Sequence, residues 1–192
     1  GLSIEQLRDM VSNLRKEGLN SQQIADELSL SQDTISWLIA ESSNNDKPQD
    51  VRIGWRTIGV RPQRIAAIGA IMADVAAEEC GDSIDTIVGI SINGVLFANE
   101  VASQLGCEVA IHRNVDGAPG KGSLSNKYGQ VSGKRVAIVD DVLSTGVTMS
   151  RTIEAMRDAG AEVALCMVLV NKTVRNEIDE VPLRGIIRAA VV

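Results

Sequence analysis

Aromatic side chains are almost absent from this 192-residue chain, and their absence limits how its core can be built. Two tryptophans, one tyrosine and one phenylalanine make up 2% of the sequence, whereas 44% of it is hydrophobic. The core therefore has to be packed from valine, isoleucine, leucine and alanine. Aliphatic cores of this kind are common in α/β proteins, whose parallel strands are buried on both faces.

Cysteine and histidine are also scarce, so neither a disulfide framework nor a metal-binding cluster is expected. The three cysteines, Cys80, Cys107 and Cys166, lie far apart and form no CxxC motif, which favours buried thiols in a reducing cytoplasm. No apolar run approaches the roughly 18 residues that a membrane span needs, and no secretory leader is visible. The sequence predicts a cytoplasmic protein with no membrane contact and no tightly bound metal or cofactor.

The net charge of −6 is distributed unevenly, and this distribution marks the domain organisation. Residues 1–46 carry three basic and eight acidic residues, whereas residues 47–65 carry five basic residues and one acidic residue. The polar stretch SSNNDKPQD, residues 42–50, reads as a linker. We therefore predict a helical domain over residues 1–43, a basic linker over 44–60 and a larger second domain over 61–192.

Helical periodicity dominates the first domain. A first helix ends near Gly18, Asn20 or Ser21 caps a second helix that runs through Leu28, and Ser31 caps a third. Apolar residues then recur at a spacing that lets the second and third helices cross closely: Ile24, Leu28, Leu30, Ile35 and Leu38, with the small Ala25 at the crossing. The segment resembles the helix-turn-helix superfamily, with Ser29 where that family usually has glycine at the turn.

The helix-turn-helix resemblance implies a surface that reads double-stranded DNA. The candidate DNA-binding residues are polar and lie at the starts of the second and third helices: Ser21, Gln22, Ser31, Gln32, Asp33, Thr34 and Ser36. The third helix carries no lysine or arginine, although phosphate contacts supply much of the affinity for DNA. That charge would come from Arg8, Arg15, Lys16 or the linker, together with dimerisation. The alternative is a small helical module for protein contact.

After the linker, apolar segments at 85–90, 108–112, 135–139 and 162–170 alternate with helical patterns at 62–79, 95–105 and 148–159. This alternation predicts βαβ units and a parallel sheet flanked by helices. Residues 185–192 are expected to form an edge strand or a short flap. Residues 113–133 have no periodicity and are rich in glycine. This pattern predicts a mobile loop that covers an active site or a binding site.

The stretch VAIVDDVLSTGVT, residues 136–148, combines a buried strand, two acids and a loop of small residues before a helix. The helix N-terminus and the loop N–H groups suit a phosphate, with hydroxyl groups from Ser144, Thr145 and Thr148. Asp140 and Asp141 would repel a phosphate, but they can accept hydrogen bonds from the vicinal hydroxyls of a ribose. A 5-phosphorylated ribose would satisfy both halves of the stretch.

These thirteen residues resemble the 5-phosphoribosyl 1-diphosphate (PRPP) motif of the type I phosphoribosyltransferases. The resemblance covers about residues 60–192 and implies that family's α/β fold. The residues that it implies for ligand binding lie in two loops and at one strand end: Asp140, Asp141, Leu143, Ser144, Thr145, Gly146, Val147 and Thr148; Ser91, Ile92, Asn93 and Gly94; and Arg113. In this family Mg²⁺ usually enters with the diphosphate of the substrate.

This sequence departs from the enzyme family at the flexible catalytic loop. Orotate phosphoribosyltransferases carry an Arg-Lys pair and a Lys-x-His-Gly motif there, whose cations neutralise the departing diphosphate. Here Arg113 matches, but Asn114 replaces the adjacent lysine, and no Lys-x-His-Gly follows. Arg113, Lys121 and Lys127 remain the catalytic candidates, and His112 is expected to be a partly exposed residue at a strand end.

The combination of a helix-turn-helix with an altered transferase domain is similar to the archaeal orotate-phosphoribosyltransferase-like transcriptional regulators. The resemblance spans nearly the whole chain. It implies a homodimeric activator that binds promoter DNA, senses PRPP or a nucleotide and regulates genes of sugar or nucleotide metabolism. The alternative is an active orotate or purine phosphoribosyltransferase that uses PRPP and Mg²⁺. The altered loop favours ligand binding over catalysis.

Overall fold

The computed structural model describes residues 2–40, 47–114 and 122–190. These residues form two units, of which the first ends at Gly54 and the second runs from Trp55 to Ala190. Residues 47–54 of the predicted linker therefore lie with the helical unit, and residues 55–60 lie with the α/β unit.

Three helices make up the first unit: α1 (Ile4–Lys16), α2 (Ser21–Leu28) and α3 (Gln32–Ile39). Ser3 and Asn20 form capping boxes at the first two helices, and the Ser31 side chain accepts a hydrogen bond from the backbone of Thr34. Ser29 adopts the left-handed conformation, φ 52°, between α2 and α3. The predicted helices are confirmed, and their buried apolar residues form one core: Val11, Ile24, Ala25, Leu28, Leu30, Ile35 and Leu38.

A seven-stranded sheet organises the second unit, in the order β3-β2-β1-β4-β5-β7-β6. The strands are β1 (Thr86–Ile90), β2 (Glu108–Asn114), β3 (Gly122–Leu124), β4 (Arg135–Leu143), β5 (Glu162–Asn171), β6 (Glu177–Ile178) and β7 (Val181–Arg188). Strands β2, β1, β4, β5 and β7 are parallel, and the short outer strands β3 and β6 pair antiparallel to their neighbours. The predicted parallel α/β sheet is confirmed.

The second unit also contains four helices: α4 (Arg56–Gly59), α5 (Pro62–Cys80), α6 (Asn93–Leu105) and α7 (Val147–Asp158). Val88 and Ile138 pack in one buried cluster with Ile153 of α7. Gly89, one residue along β1, faces α6 instead, because a Cβ there would lie 2.9 Å from the Cβ of Ala98. Since side chains alternate along a strand, α6 and α7 cover opposite faces of the sheet.

Several predicted boundaries were wrong. Strand β4 continues through the acid pair to Leu143 instead of ending at Val139, because it stays paired with β5 to its last residue. The final strand is Val181–Arg188 and begins four residues before the predicted Gly185; because β6 pairs with only its first two residues, the rest of β7 is an edge strand, one of the two predicted forms. The predicted aperiodic loop contains β3. Strand β6 was missed because its hairpin turn uses Asp179 and Glu180 at positive φ, without the glycine or asparagine that usually marks such a turn.

Among the described residues no helix has both the length and the hydropathy needed to cross a membrane. The 19-residue helix α5 buries one side, including Met72, and exposes Ile71 and charged residues elsewhere.

Candidate functional site at the carboxyl edge of the sheet

Two predicted ligand loops meet where the neighbouring parallel strands β1 and β4 end. Residues 91–94 follow β1 and include the first two residues of α6, and residues 144–146 follow β4 and lead into α7. Gly94 touches β4 so closely that a Cβ there would lie 2.5 Å from the carbonyl oxygen of Val139 and 2.9 Å from the Cα of Asp140. The absence of a side chain at Gly94 therefore lets the first loop lie directly beside the acid pair.

The loop after β4 forms the N-terminus of α7. Gly146 is the N-cap residue, with φ 91° and no side-chain capping bond; the Val147 N–H donates to Thr145 Oγ1 at 3.4 Å, and the N–H groups of the next residues in the first turn are not capped by a side chain of Gly146. Ser144 and Thr148 are half-buried and Thr145 is exposed, whereas Leu143 packs in the core. This is the local arrangement that binds anions at helix N-termini.

Arg175 supplies a positive charge beside this loop, and the sequence did not reveal it. A Cβ on Gly146 would lie 3.0 Å from an Nη1 atom of the Arg175 guanidinium. The fully buried Asn171 donates from Nδ2 to the carbonyl oxygen of Arg175 (2.9 Å), and Thr173 Oγ1 accepts from its backbone N–H (3.1 Å). The connection between β5 and β6 thus holds Arg175 at the predicted phosphate loop.

The two acids project from opposite sides of β4. Asp140 lies two residues beyond Ile138, on the face that packs against α7, and Asp141 lies on the face of α6. Asp140 is half-buried and its Oδ1 accepts from the backbone N–H of Asp141 at 2.8 Å, whereas Asp141 is buried. Burial raises the pKa of Asp141, and hydrogen bonds from its surroundings oppose that effect.

The Asp141 carboxylate is hydrogen-bonded to Trp55, a residue that the sequence did not mark as functional. The indole Nε1 donates to Oδ2 of Asp141 at 3.0 Å. The ring of Trp55 packs at 57° against Phe97 of α6, with their centroids 5.3 Å apart. Gly59 makes room for it, because a Cβ there would lie 2.6 Å from the indole.

The end of β2 carries the remaining predicted cation. Arg113 is exposed at the edge of the sheet, and its neighbour His112 is 1% exposed, so the predicted partly exposed position of His112 was wrong. The reason is that His112 lies opposite both Ile90 and Leu124, between β1 and β3. Its backbone carbonyl accepts from Ser91 N–H at 2.8 Å, and among the described residues its Nδ1 has no hydrogen-bond partner. Burial lowers the pKa of His112.

Of the other catalytic candidates, Lys127 is exposed in the turn after β3. Lys121 and the rest of residues 115–121 lie outside the described residues. No group of three or more His, Cys, Asp and Glu side chains that could hold a metal ion is found in the part of the chain that the structure describes.

The predicted DNA-reading residues lie at the starts of α2 and α3 and differ in exposure. Ser21, Gln32, Asp33 and Ser36 are exposed, Gln22 and Ser31 are half-buried, and Thr34 is buried. The hydroxyl group of Thr34 donates to Asp50 Oδ2 at 2.8 Å. Side-chain contact of Thr34 with DNA would therefore require this bond to open.

Three of the five basic side chains of the first unit, Arg8, Arg15 and Lys16, line one open cleft on α1, which also contains Ser12 and the end of α3. Arg8 lies over the ring of Trp37 at 5.5 Å, and Arg15 and Lys16 continue the basic surface. Positive charge in this unit therefore lies on α1 and, through Lys47 and Arg52, on the segment after α3, but not on α3 itself.

Comparison with known proteins defines first the class of the second unit and then that of the chain. The model of the phosphoribosyl transferase domain matches residues 54–187. Proteins named Transcriptional regulator GfcR match almost end to end. The one from Thermoplasma acidophilum is 39% identical and covers 99% of this chain and 98% of its own length, and the one from Picrophilus torridus is 37% identical and covers 99% of each. The chain belongs to this family of transcriptional regulators with a phosphoribosyl transferase domain.

Solved structures support the fold of the second unit. The orotate phosphoribosyltransferase of Aeropyrum pernix has a TM-score of 0.57 and 21% identity, and the match covers 77% of this chain and 83% of that one. The orotate phosphoribosyltransferase of Mycobacterium tuberculosis, in complex with PRPP, has a TM-score of 0.59 and 19% identity, with 71% and 80% covered. At these identities the likeness establishes the fold alone.

Proposed function

We propose that this protein is a DNA-binding transcriptional regulator whose Trp55–Ala190 unit binds PRPP or a nucleotide as its effector. The observation that carries the proposal is the meeting of the 91–94 loop, the acid pair and the 144–148 loop at one edge of the sheet. Family membership supports the regulatory role. Retained ligand groups beside an altered catalytic loop support sensing over turnover.

The proposed ligand is matched group by group to this edge. The 5-phosphate lies at the N-terminus of α7, where Ser144, Thr145 and Thr148 add hydroxyl donors and Arg175 adds charge. The ribose hydroxyls donate to Asp140 and Asp141, and a diphosphate is held by the backbone of residues 91–94. Arg113 lies at the end of β2, next to β1, and would face the diphosphate side.

Mg²⁺ fits this scheme as a partner of the ligand. The acid pair offers two carboxylates on opposite sides of one strand, which is too few for a closed protein site. Diphosphate oxygens would supply most of the coordination, and the ion would lower the negative charge that the acid pair has to tolerate.

The proposed DNA surface comprises the starts of α2 and α3, with Gln32, Asp33 and Ser36 exposed on the reading helix. The basic cleft of α1 supplies phosphate contacts that α3 lacks. A homodimer would present two such surfaces to a two-fold promoter site. The proposed output is activation of genes of sugar or nucleotide metabolism.

An electrophoretic mobility assay on the promoter of the gene itself tests the proposal, at low salt, with and without PRPP and Mg²⁺. We expect retarded DNA whose midpoint shifts with PRPP. The matched control is Thr145→Val, which keeps the side-chain shape and removes the hydroxyl donor, and should weaken only the ligand effect. Absence of DNA binding under both conditions contradicts the proposal. In vitro transcription in the same mixtures separates activation from repression.

The second candidate function is an active phosphoribosyltransferase, which the exposed Arg113 beside the 91–94 loop favours. Diphosphate release would be measured with PRPP, Mg²⁺ and a panel of orotate and purine bases. Release that depends on one base, and that Arg113→Gln abolishes, would establish the enzyme. A flat response across the panel leaves the protein a sensor.

A further inference from the structure

Residues 50–55 cross the boundary between the two units and are hydrogen-bonded within the first unit at one end and within the second unit at the other. On one side, Asp50 Oδ2 accepts from the backbone N–H of Ser31 (2.7 Å) and from the hydroxyl group of Thr34 (2.8 Å). On the other side, Trp55 donates to Asp141 at 3.0 Å. Since Arg52 Nε also donates to the carbonyl oxygen of Leu28 at 3.2 Å, only residues 53 and 54 separate the contacts of the first unit from those of the second.

Trp55 and a ribose hydroxyl would compete for the same acid. Asp141 is 6% exposed, and the indole that covers it already donates to Oδ2. Because the carboxylate is buried and Nε1 already donates to it, we expect a hydroxyl group of the ligand to bind in place of the indole N–H and not beside it. Trp55 is half-buried and belongs to no long helix, so its displacement disturbs α4 and the aromatic contact with Phe97 but not the sheet.

Asp50 acts at the start of the proposed reading helix. Its carboxylate binds two donors in the first turn of α3, and this is a stabilising position for a negative charge at a helix N-terminus. The same negative charge opposes the approach of a DNA phosphate to Ser31 and Gln32. Movement of Asp50 therefore changes both the support of α3 and the local charge that DNA meets.

We propose that residues 50–55 couple the two sites: the ribose hydroxyls of the effector displace Trp55 from Asp141, and the released segment shifts Asp50 at the N-terminus of α3. This inference rests on the proposed function, because it needs a ligand diol at the acid pair. The coupling is reciprocal, so DNA that repositions Asp50 changes the affinity for the ligand by the same factor. The proposed link is short, because only residues 53 and 54 separate the two sets of hydrogen bonds.

Tryptophan fluorescence reads the displacement directly, because Trp37 and Trp55 are the two tryptophans of the chain. In the full-length Trp37→Phe variant, PRPP with Mg²⁺ should shift the emission of Trp55 to the red as the indole leaves Asp141 and Phe97. In the Trp55→Phe variant, which keeps a ring against Phe97 but donates no hydrogen bond, calorimetry should show PRPP binding about tenfold tighter than in the wild type. Unchanged emission together with unchanged affinity overturns the inference and leaves the proposed function intact.

Insertion of Gly-Ser-Gly-Ser between residues 53 and 54 tests the transmission step without altering either site. The inserted protein should bind PRPP and promoter DNA separately with wild-type affinity, but PRPP should no longer shift the mobility-assay midpoint. Retention of the full shift overturns the coupling. PRPP that fails to bind the wild-type protein at all rejects the proposed effector and this inference with it, whereas the fluorescence and insertion results reject the inference alone.

Discussion

The burial of His112 could not be predicted from the sequence. Its position at a predicted strand end suggested exposure, but pairing with β1 on one side and β3 on the other buries it. Strand β3 comprises three residues inside a glycine-rich segment. It is too short to show the alternating pattern of a strand, so the neighbour that covers His112 was not predicted. The main-chain carbonyl of His112 accepts from the N–H of Ser91, so this residue holds the start of the 91–94 loop through its backbone.

The single histidine allows its titration to be observed without assignment. Because burial lowers the pKa of His112, its one imidazole NMR signal should titrate below the ordinary 6.5. The unfolded chain then binds the proton more readily than the folded chain, so the stabilising contribution is present above pH 6.5 and is lost as pH falls through the folded pKa. Urea unfolding at neutral and mildly acidic pH should show that loss.

The raised pKa of Asp141 affects the stability in the opposite sense, because the folded chain binds this proton more readily than the unfolded chain. The Asp141→Asn variant should therefore lose stability more steeply on acidification than the wild type, as measured by the same urea unfolding.

Arg175 is the residue that the structure adds to the proposed ligand site. No motif could reveal it, since it lies 29 residues after Gly146 and reaches the loop only through the turn that Asn171 holds. Its guanidinium should stabilise a bound phosphate by a charge-assisted contact. The position also explains how a loop without a basic residue of its own could tolerate a doubly charged group beside two acids.

Arg175→Gln should weaken the binding of inorganic phosphate and of PRPP by about tenfold, since a hydrogen bond to a charged group contributes about 1.5–3 kcal/mol. Isothermal calorimetry provides the measurement. Arg135→Gln is the charge-matched control, because Arg135 begins β4 at the opposite edge of the sheet and pairs with Glu162. Equal loss in both variants would indicate a general effect of net charge and would remove Arg175 from the site.

At the scale of elements, the sequence predicted what periodicity and capping chemistry determine. The helices of the first unit followed from apolar spacing and from caps such as Asn20 and Ser31, and the parallel pairing of the central strands followed from their alternation with helices. What it could not predict depends on contacts between distant segments. Strand β4 runs on past the acids because β5 pairs with it there, and Trp55 meets Asp141 across 86 residues of chain. The motif was therefore recognisable, but the partner of its second acid was not.

Gly94 tests whether close contact between the 91–94 loop and β4 builds the site. In Gly94→Ala the new methyl group would lie 2.5 Å from Val139 O and 2.9 Å from Asp140 Cα, both backbone atoms that cannot move aside cheaply. Overpacking of this kind should lower the free energy of unfolding by about 1–3 kcal/mol. PRPP affinity should fall more than tenfold, because the loop shifts away from the acid pair.

Gly54→Ala is the matched control for that substitution. A Cβ at Gly54 meets nothing within 4 Å, so urea unfolding and PRPP calorimetry should both stay close to the wild type. Wild-type PRPP affinity in Gly94→Ala would show that the ligand does not use this loop, and the proposed position of the diphosphate would then be wrong.

At the scale of the whole molecule, the division after Gly54 separates a small helical core from a larger α/β core. The helical unit buries seven apolar residues in one cluster, and no residue of the other unit belongs to that cluster as described. A unit of this size has a total stability of about 3–8 kcal/mol, since domains have about 0.05–0.15 kcal/mol per residue. The two proposed functions should therefore be separable by substitutions in one core or the other.

Ile35→Ala should unfold the helical unit and leave the ligand-binding unit folded. Ile35 is fully buried at the centre of the first cluster, and such a truncation costs about 2–5 kcal/mol, most of what a small unit possesses. Scanning calorimetry should lose its transition for the first unit, the mobility assay should show no DNA binding, and PRPP calorimetry should be unchanged. Ile138→Ala, equally buried in the α7 cluster, should give the reverse pattern, with PRPP binding weakened and the helical unit intact. Loss of PRPP binding in Ile35→Ala would contradict this separation and would mean that the proposed effector site needs the folded helical unit.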